Sequence, residues 1–100
     1  MKSDAVENLR DRTTRFALRI VRMYSALPST VPAQVMGKQI LRSGTSIGAQ
    51  YREADRARST PEFISKMESA LQEIDETQYW LELLIGAGIV PAGKLAELTK

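Results

Sequence analysis

The chain has 100 residues, 43% hydrophobic and 26% charged, a composition that suits one small globular domain over residues 1–100 and excludes a disordered polyampholyte. It has no cysteine and no histidine, which excludes disulfides, thiolate or imidazole metal sites, and catalytic triads built on either residue. The net charge of +2 conceals an asymmetry: residues 1–60 carry eleven Lys or Arg against five Asp or Glu, net +6, and residues 61–100 carry three against seven, net −4.

Asp4 with Glu7 has the pattern of a capping box. Leu9, Thr13, Phe16, Ile20, Met23 and Leu27 then step by four and three until Pro28, which predicts a first helix over about 5–27. Pro28-Ser29-Thr30-Val31-Pro32 is a rigid, short connection that offers Ser29 and Thr30 as caps for a second helix over about 32–57. In that helix Gly37, Ile40, Gly44, Ile47, Tyr51 and Ala54 share one face, so large and small groups alternate along it. A glycine inside a helix costs about 0.5–1 kcal/mol relative to alanine, and close approach of a neighbouring element is the simplest compensation.

Ser59-Thr60-Pro61-Glu62 combines hydroxyl caps, a first-turn proline and an early acid. It opens a third helix over about 60–86, with an apolar stripe of Phe63, Met67, Ala70, Ile74, Thr77, Leu81 and Leu84 that ends near Gly86 or Gly88. Pro91 starts a predicted fourth helix over about 91–100, with Leu95 and Leu98 as its apolar positions. A helix of about ten residues is marginal alone and leaves its groove partly filled unless another chain or a further C-terminal segment covers it. Long helices joined by short connections, with no strand-like segment, predict an all-α, antiparallel up-and-down four-helix bundle with a short, truncated fourth helix. Met1–Glu7 lacks the apolar segment of a signal peptide, and the nearly uncharged run Leu83–Gly93 is too short to span a bilayer. A soluble cytoplasmic protein with no membrane contact is expected.

Four segments carry a family resemblance: Phe16-Ala17-Leu18-Arg19-Ile20-Val21, Gly37-Lys38-Gln39-Ile40-Leu41-Arg42-Ser43-Gly44-Thr45-Ser46-Ile47-Gly48-Ala49, Tyr51-Arg52-Glu53-Ala54 and Thr77-Gln78-Tyr79-Trp80-Leu81-Glu82-Leu83-Leu84. Across nearly the whole chain these resemble the bacterial four-helix bundle proteins encoded by intervening sequences of 23S ribosomal RNA genes. The resemblance implies an up-and-down bundle that assembles into a homo-oligomeric ring, typically a pentamer, with no established enzymatic activity. It also implies kinship with the accessory variability proteins of diversity-generating retroelements, basic pentameric barrels that bind nucleic acid together with a reverse transcriptase. Two departures stand out: Gln50 occupies a position where the family usually has asparagine, and family members usually continue well past the position of Lys100.

Arg12, Arg15, Arg19 and Arg22 form a basic strip on helix one; Lys38, Arg42, Arg52 and Arg56 form another on helix two, with Arg58 just beyond. Aligned arginine forks suit phosphate oxygens, and several together release counterions on binding RNA or DNA. The alternative is that they pair with Glu62, Glu73, Glu76 and Glu82 of the acidic third helix, within or between subunits. Gln39, Ser43, Ser46, Gln50 and Glu53 form a polar strip that reads either as a subunit contact or as a solvated face. Trp80 and Leu83 lie about 100° or more from the centre of the helix-three stripe and are further candidates for an oligomer interface, unless the fourth-helix stub or the Gly86 turn covers them. Tyr24, Tyr51 and Tyr79 suit bundle seams better than base stacking. Glu73, Asp75 and Glu76 cannot make the di-metal centre of a helical bundle, which needs Glu-x-x-His pairs, and their spacing does not support a Mg2+ site. No catalytic residue, metal ligand or cofactor is therefore expected. Together these features predict a non-enzymatic homo-oligomeric bundle that binds RNA through its arginine strips. The alternatives are a protein-interaction scaffold whose arginines serve subunit pairing, or an accessory subunit of a retroelement reverse transcriptase.

Overall fold

Local chemistry sets the ends of the helices. A computed structural model describes residues 4–98, with α1 at Asp4–Ser25, α2 at Val31–Asp55, α3 at Thr60–Gly86 and α4 at Lys94–Leu98, and no strand among the described residues. The side chains of the capping pair Asp4 and Glu7 and of the apolar position Leu95, together with residues 99–100 of the expected fourth helix, lie outside what is described.

α1 stops at Ser25 rather than 27, because Leu27 precedes Pro28 and a residue before proline is driven out of the helical region. A tightened last turn follows, in which the Ala26 and Leu27 N–H groups donate to the carbonyls of Met23 and Tyr24, both at 3.1 Å. At the head of α3, Ser59 is the N-cap and its Oγ accepts from the Glu62 N–H at 3.2 Å. The Glu62 carboxylate turns back to accept from the Arg58 N–H at 3.0 Å. α3 ends in a Schellman turn: Gly88 adopts φ +74°, the Ile89 N–H reaches the Leu84 carbonyl at 2.9 Å, and the Gly88 N–H reaches that of Ile85 at 3.0 Å. Pro91 does not open α4 as expected; the Lys94 N–H donates to the Pro91 carbonyl at 3.0 Å in a turn, and the helix follows it.

α2 is the central helix, packed on α1 along one side and α3 along the other, while α4 touches α1. A Cβ built on Gly37 would meet Leu27 and Tyr24, on Gly44 it would stand 2.9 Å from Ile20 Cγ1, and on Gly48 3.2 Å from Thr13 Oγ1. Positions ascending in α2 thus meet positions descending in α1, which makes the pair antiparallel, and α1 fills the space that missing side chains leave. The predicted α2 face of Gly37, Ile40, Gly44, Ile47, Tyr51 and Ala54 is buried throughout.

The α2–α3 pair is also antiparallel, with Glu53 beside Lys66 and Ser43 beside Thr77. Ile20, Met23, Ile40, Leu81, Leu84, Val90 and Leu98 form the core, concentrated at the end of the bundle that α4 closes. Towards the other end the expected stripes are less covered: Leu9 is 40%, Phe63 43% and Ile74 38% exposed. A groove of about 270 Å³ remains between α1 and α3, with Ile47 among its lining residues and Leu98 of α4 contributing to it. Beyond Leu98 no described element fills it.

Candidate nucleic-acid and subunit interfaces

Arg12, Arg15 and Arg22 are exposed on one flank of α1, and Arg19, half-buried on the same flank, donates from Nη1 to the Leu98 carbonyl at 3.4 Å. At 1.5 Å rise per residue the strip from Arg12 to Arg22 is about 15 Å long. Arg12 and Arg19 border the groove between α1 and α3, and Arg19 and Arg22 join Lys94 around a pocket of about 430 Å³ between α1 and α4. Arg12, Arg15 and Arg22 make no ion pair among the described residues.

The α2 strip has a different fate. Lys38, Arg42, Arg52, Arg56 and Arg58 are all exposed, but Arg42 forms ion pairs with Glu76 and, at 3.6 Å, with Glu73 of α3. The Arg42 guanidinium, helped by the Trp80 indole N–H, holds the Glu76 carboxyl below its ordinary value, and Glu76 raises Arg42 in return. Arg52 Nη2 donates to Thr14 Oγ1 at 3.2 Å, tying α2 to α1. Arg52 and Arg56 share a depression with Arg10 and Glu53, separate from the spaces that Arg12, Arg19 and Arg22 border. The two predicted strips thus line different depressions. Arg10 and Lys94, which complete the two basic groups, escaped the sequence pattern because Arg10 lies off the face of Arg12, Arg15, Arg19 and Arg22, and Lys94 joins only through the chain reversal after α3.

Within the polar strip of α2 the structure takes Ser43 out of any subunit contact and places Glu53 beside α3 of the same chain. Ser43 is fully buried inside the monomer and its Oγ accepts from Thr77 Oγ1 at 2.8 Å. Glu53 pairs with Lys66 at 2.6 Å, and Ser46 Oγ donates to the Arg42 carbonyl of its own helix at 2.6 Å. Gln50 is half-buried and its Oε1 is enclosed with no hydrogen-bond partner among the described residues, while Gln39 is half-buried. Ser43 and Glu53 meet α3, which the sequence could not reveal because helical period names a face and not what covers it. Trp80 is likewise corrected: it packs against the core, and its Nε1 donates to Glu76 Oε2 at 3.2 Å. The buried arc of α3 centres on Ala70, Thr77 and Leu84 and extends to Trp80, whereas the predicted stripe gave equal weight to Phe63 and Ile74. Leu83 stays 36% exposed, and Tyr79 stands edge-on to Trp80 with 5.2 Å between ring centres. Tyr51 is buried, with its phenol pushed up first by burial and then by Asp55.

Residues 8–100 match the model of the 23S rRNA-intervening sequence protein family. The chain belongs to this family. A crystal structure at 1.70 Å of a protein of unknown function from the S23 ribosomal protein family of Bacteroides thetaiotaomicron is 45% identical, with a TM-score of 0.87 over 94% of this chain and 84% of that one. No curated protein matches. In this member of the intervening-sequence family, the described residues hold no group of three or more potential metal-ligating side chains, and no helix among them is long and apolar enough to cross a membrane.

Proposed function

We propose that the protein is a non-enzymatic helical bundle that self-associates, as a pentameric ring in the family's manner, and binds RNA along the arginine strip of α1. One observation carries this: Arg12, Arg15 and Arg22 stand exposed in line with Arg19 and have no acidic partner among the described residues, whereas Arg42 of α2 is engaged by Glu73 and Glu76. A ring would repeat the strip around its axis, so weak contacts in each subunit would add as avidity.

Light scattering coupled to size exclusion, with a labelled structured RNA across a salt series, tests both parts. The expected result is an oligomer that retains the RNA at low salt and releases it as salt rises, with a logarithmic slope of about −2 to −3 for three or four neutralised phosphates. Arg12→Glu with Arg15→Glu, both at exposed sites, is expected to abolish retention and leave the oligomer intact. An oligomer that ignores RNA and DNA at every salt concentration overturns RNA binding. It favours the scaffold instead, which has support of its own in the exposed apolar side chains Phe63, Ile64, Leu71 and Leu83 of α3.

A further inference from the structure

A second group of arginines closes on a depression that the α1 strip does not reach. Arg10 of α1 and Arg52 and Arg56 of α2 line a space of about 260 Å³, with Glu53 as its one carboxylate among the described residues. Arg52 and Arg56 stand one turn apart on α2, and the antiparallel docking of α1 brings Arg10 to them. Lys38 and Arg42, which share their predicted strip, take no part. Glu53 does not neutralise the three arginines, because its Oε1 is held by Lys66 Nζ of α3 at 2.6 Å. Asp11 and Asp55, next in sequence to Arg10 and Arg56, do not line the space. None of the three arginines forms an ion pair among the described residues, so three positive charges converge there unopposed.

Like charges gathered in this way repel one another, and an anion seated among them removes that cost. One guanidinium is already aimed. Arg52 Nη2 donates to Thr14 Oγ1 at 3.2 Å, and Thr14 Oγ1 donates in turn to the Arg10 carbonyl at 2.9 Å. This chain of bonds holds the Arg52 fork against α1 and leaves its remaining N–H groups unused, so less side-chain freedom is lost when a ligand binds. The space is smaller than most small-molecule sites and every residue lining it is charged, which suits a compact anion and not a ring system. Guanidinium forks pair with phosphate oxygens, and forks from two helices engage different oxygens of one group. We infer that Arg10, Arg52 and Arg56 form a phosphate site. The phosphate belongs to the backbone of an RNA strand or, by the same chemistry, is a free phosphate ion. Because Arg12, Arg15 and Arg22 do not line the space, the site does not rest on the RNA binding proposed for the α1 strip.

Calorimetric titration of inorganic phosphate at constant ionic strength, with chloride as the anion it replaces, tests the site. Saturable binding is expected, about tenfold weaker in Arg10→Gln or Arg56→Gln and lost when the two are combined. Arg52 is left in place because it also ties α2 to α1. A salt series with a labelled structured RNA separates the two sources. If the site holds the RNA backbone, phosphate competes with the RNA and the double variant lowers the logarithmic salt slope by about 1. If it holds a free phosphate, the double variant binds RNA as the parent does. Phosphate binding that survives in the double variant overturns the site. So does the absence of saturable phosphate binding together with an unchanged RNA slope. A chain that binds phosphate at these arginines but no RNA refutes the function proposed above and leaves the site standing.

Discussion

The two long seams of this bundle are built on different physics. Between α1 and α2 the contact is one of shape: Gly37, Gly44 and Gly48 leave room, and Leu27, Ile20 and Thr13 enter it. Between α2 and α3 it is one of pairing: Ser43 with Thr77 in the interior, Arg42 with Glu73 and Glu76, and Glu53 with Lys66 at the edge. Apolar interdigitation fixes how near two helices come, and polar pairs fix which residues stand opposite one another. The difference also separates the cations. Arg42 is spent on the α3 seam, while the shape-based α1 seam asks nothing of Arg12, Arg15 and Arg22 and leaves them on the surface.

The shape seam should break most severely. In Gly44→Leu the new Cβ would stand 2.9 Å from Ile20 Cγ1 and 3.1 Å from Cγ2. Ile20 is fully buried and branched at Cβ, so it has little freedom to move, and a loss of about 3 kcal/mol is expected in urea denaturation. A variant as stable as the parent would show that the seam is loosely packed.

In the pairing seam the largest effect belongs to the interior. Thr77→Val leaves the buried Ser43 hydroxyl without its donor at an expected cost of about 1–3 kcal/mol, and adding Ser43→Ala is expected to restore part of it, because an apolar pair leaves nothing unsatisfied. Simple additivity in that double-mutant cycle would refute a direct coupling.

The exposed pairs contribute less. Arg42→Met is expected to cost at most about 1 kcal/mol, since both partners are partly solvated. Glu76 is held below its ordinary value near 4.5 by Arg42 and then Trp80. Its contribution is therefore present above that value and lost as pH falls through the lowered one. Glu76→Gln should flatten this part of the acid dependence in a series of denaturation curves, and an unchanged acid limb would remove Glu76 from it. Smallest of all is Gly48→Ala: its Cβ would meet Thr13 at 3.2–3.3 Å, a strain of a few tenths of an ångström set against the gain in helix propensity, with a net change within about 0.5 kcal/mol.

Much of the bundle could be read along the chain. The periodic face of α2, the Ser59 cap and the glycine turn after α3 all depend on residues close in sequence, and the structure has each of them. The candidate sites were less legible. Ser43 and Trp80 looked like surface residues because their helices alone would expose them; α3 and the core cover them. Arg10 gave no sign of joining Arg52 and Arg56, since their proximity comes from the antiparallel docking of α1 on α2.

What the sequence determined by itself is the number, type and order of the helices and the charge of each, because spacing, caps and prolines act within a few residues. Which arginines are engaged and which stand exposed, where the polar strip of α2 is consumed, and the meeting of Arg19, Arg22 and Lys94 were decided only by the tertiary structure. Those outcomes depend on how far each helix is rotated and slid against its neighbour, and that is set by side-chain volumes and charges meeting across the seams, between residues far apart along the chain.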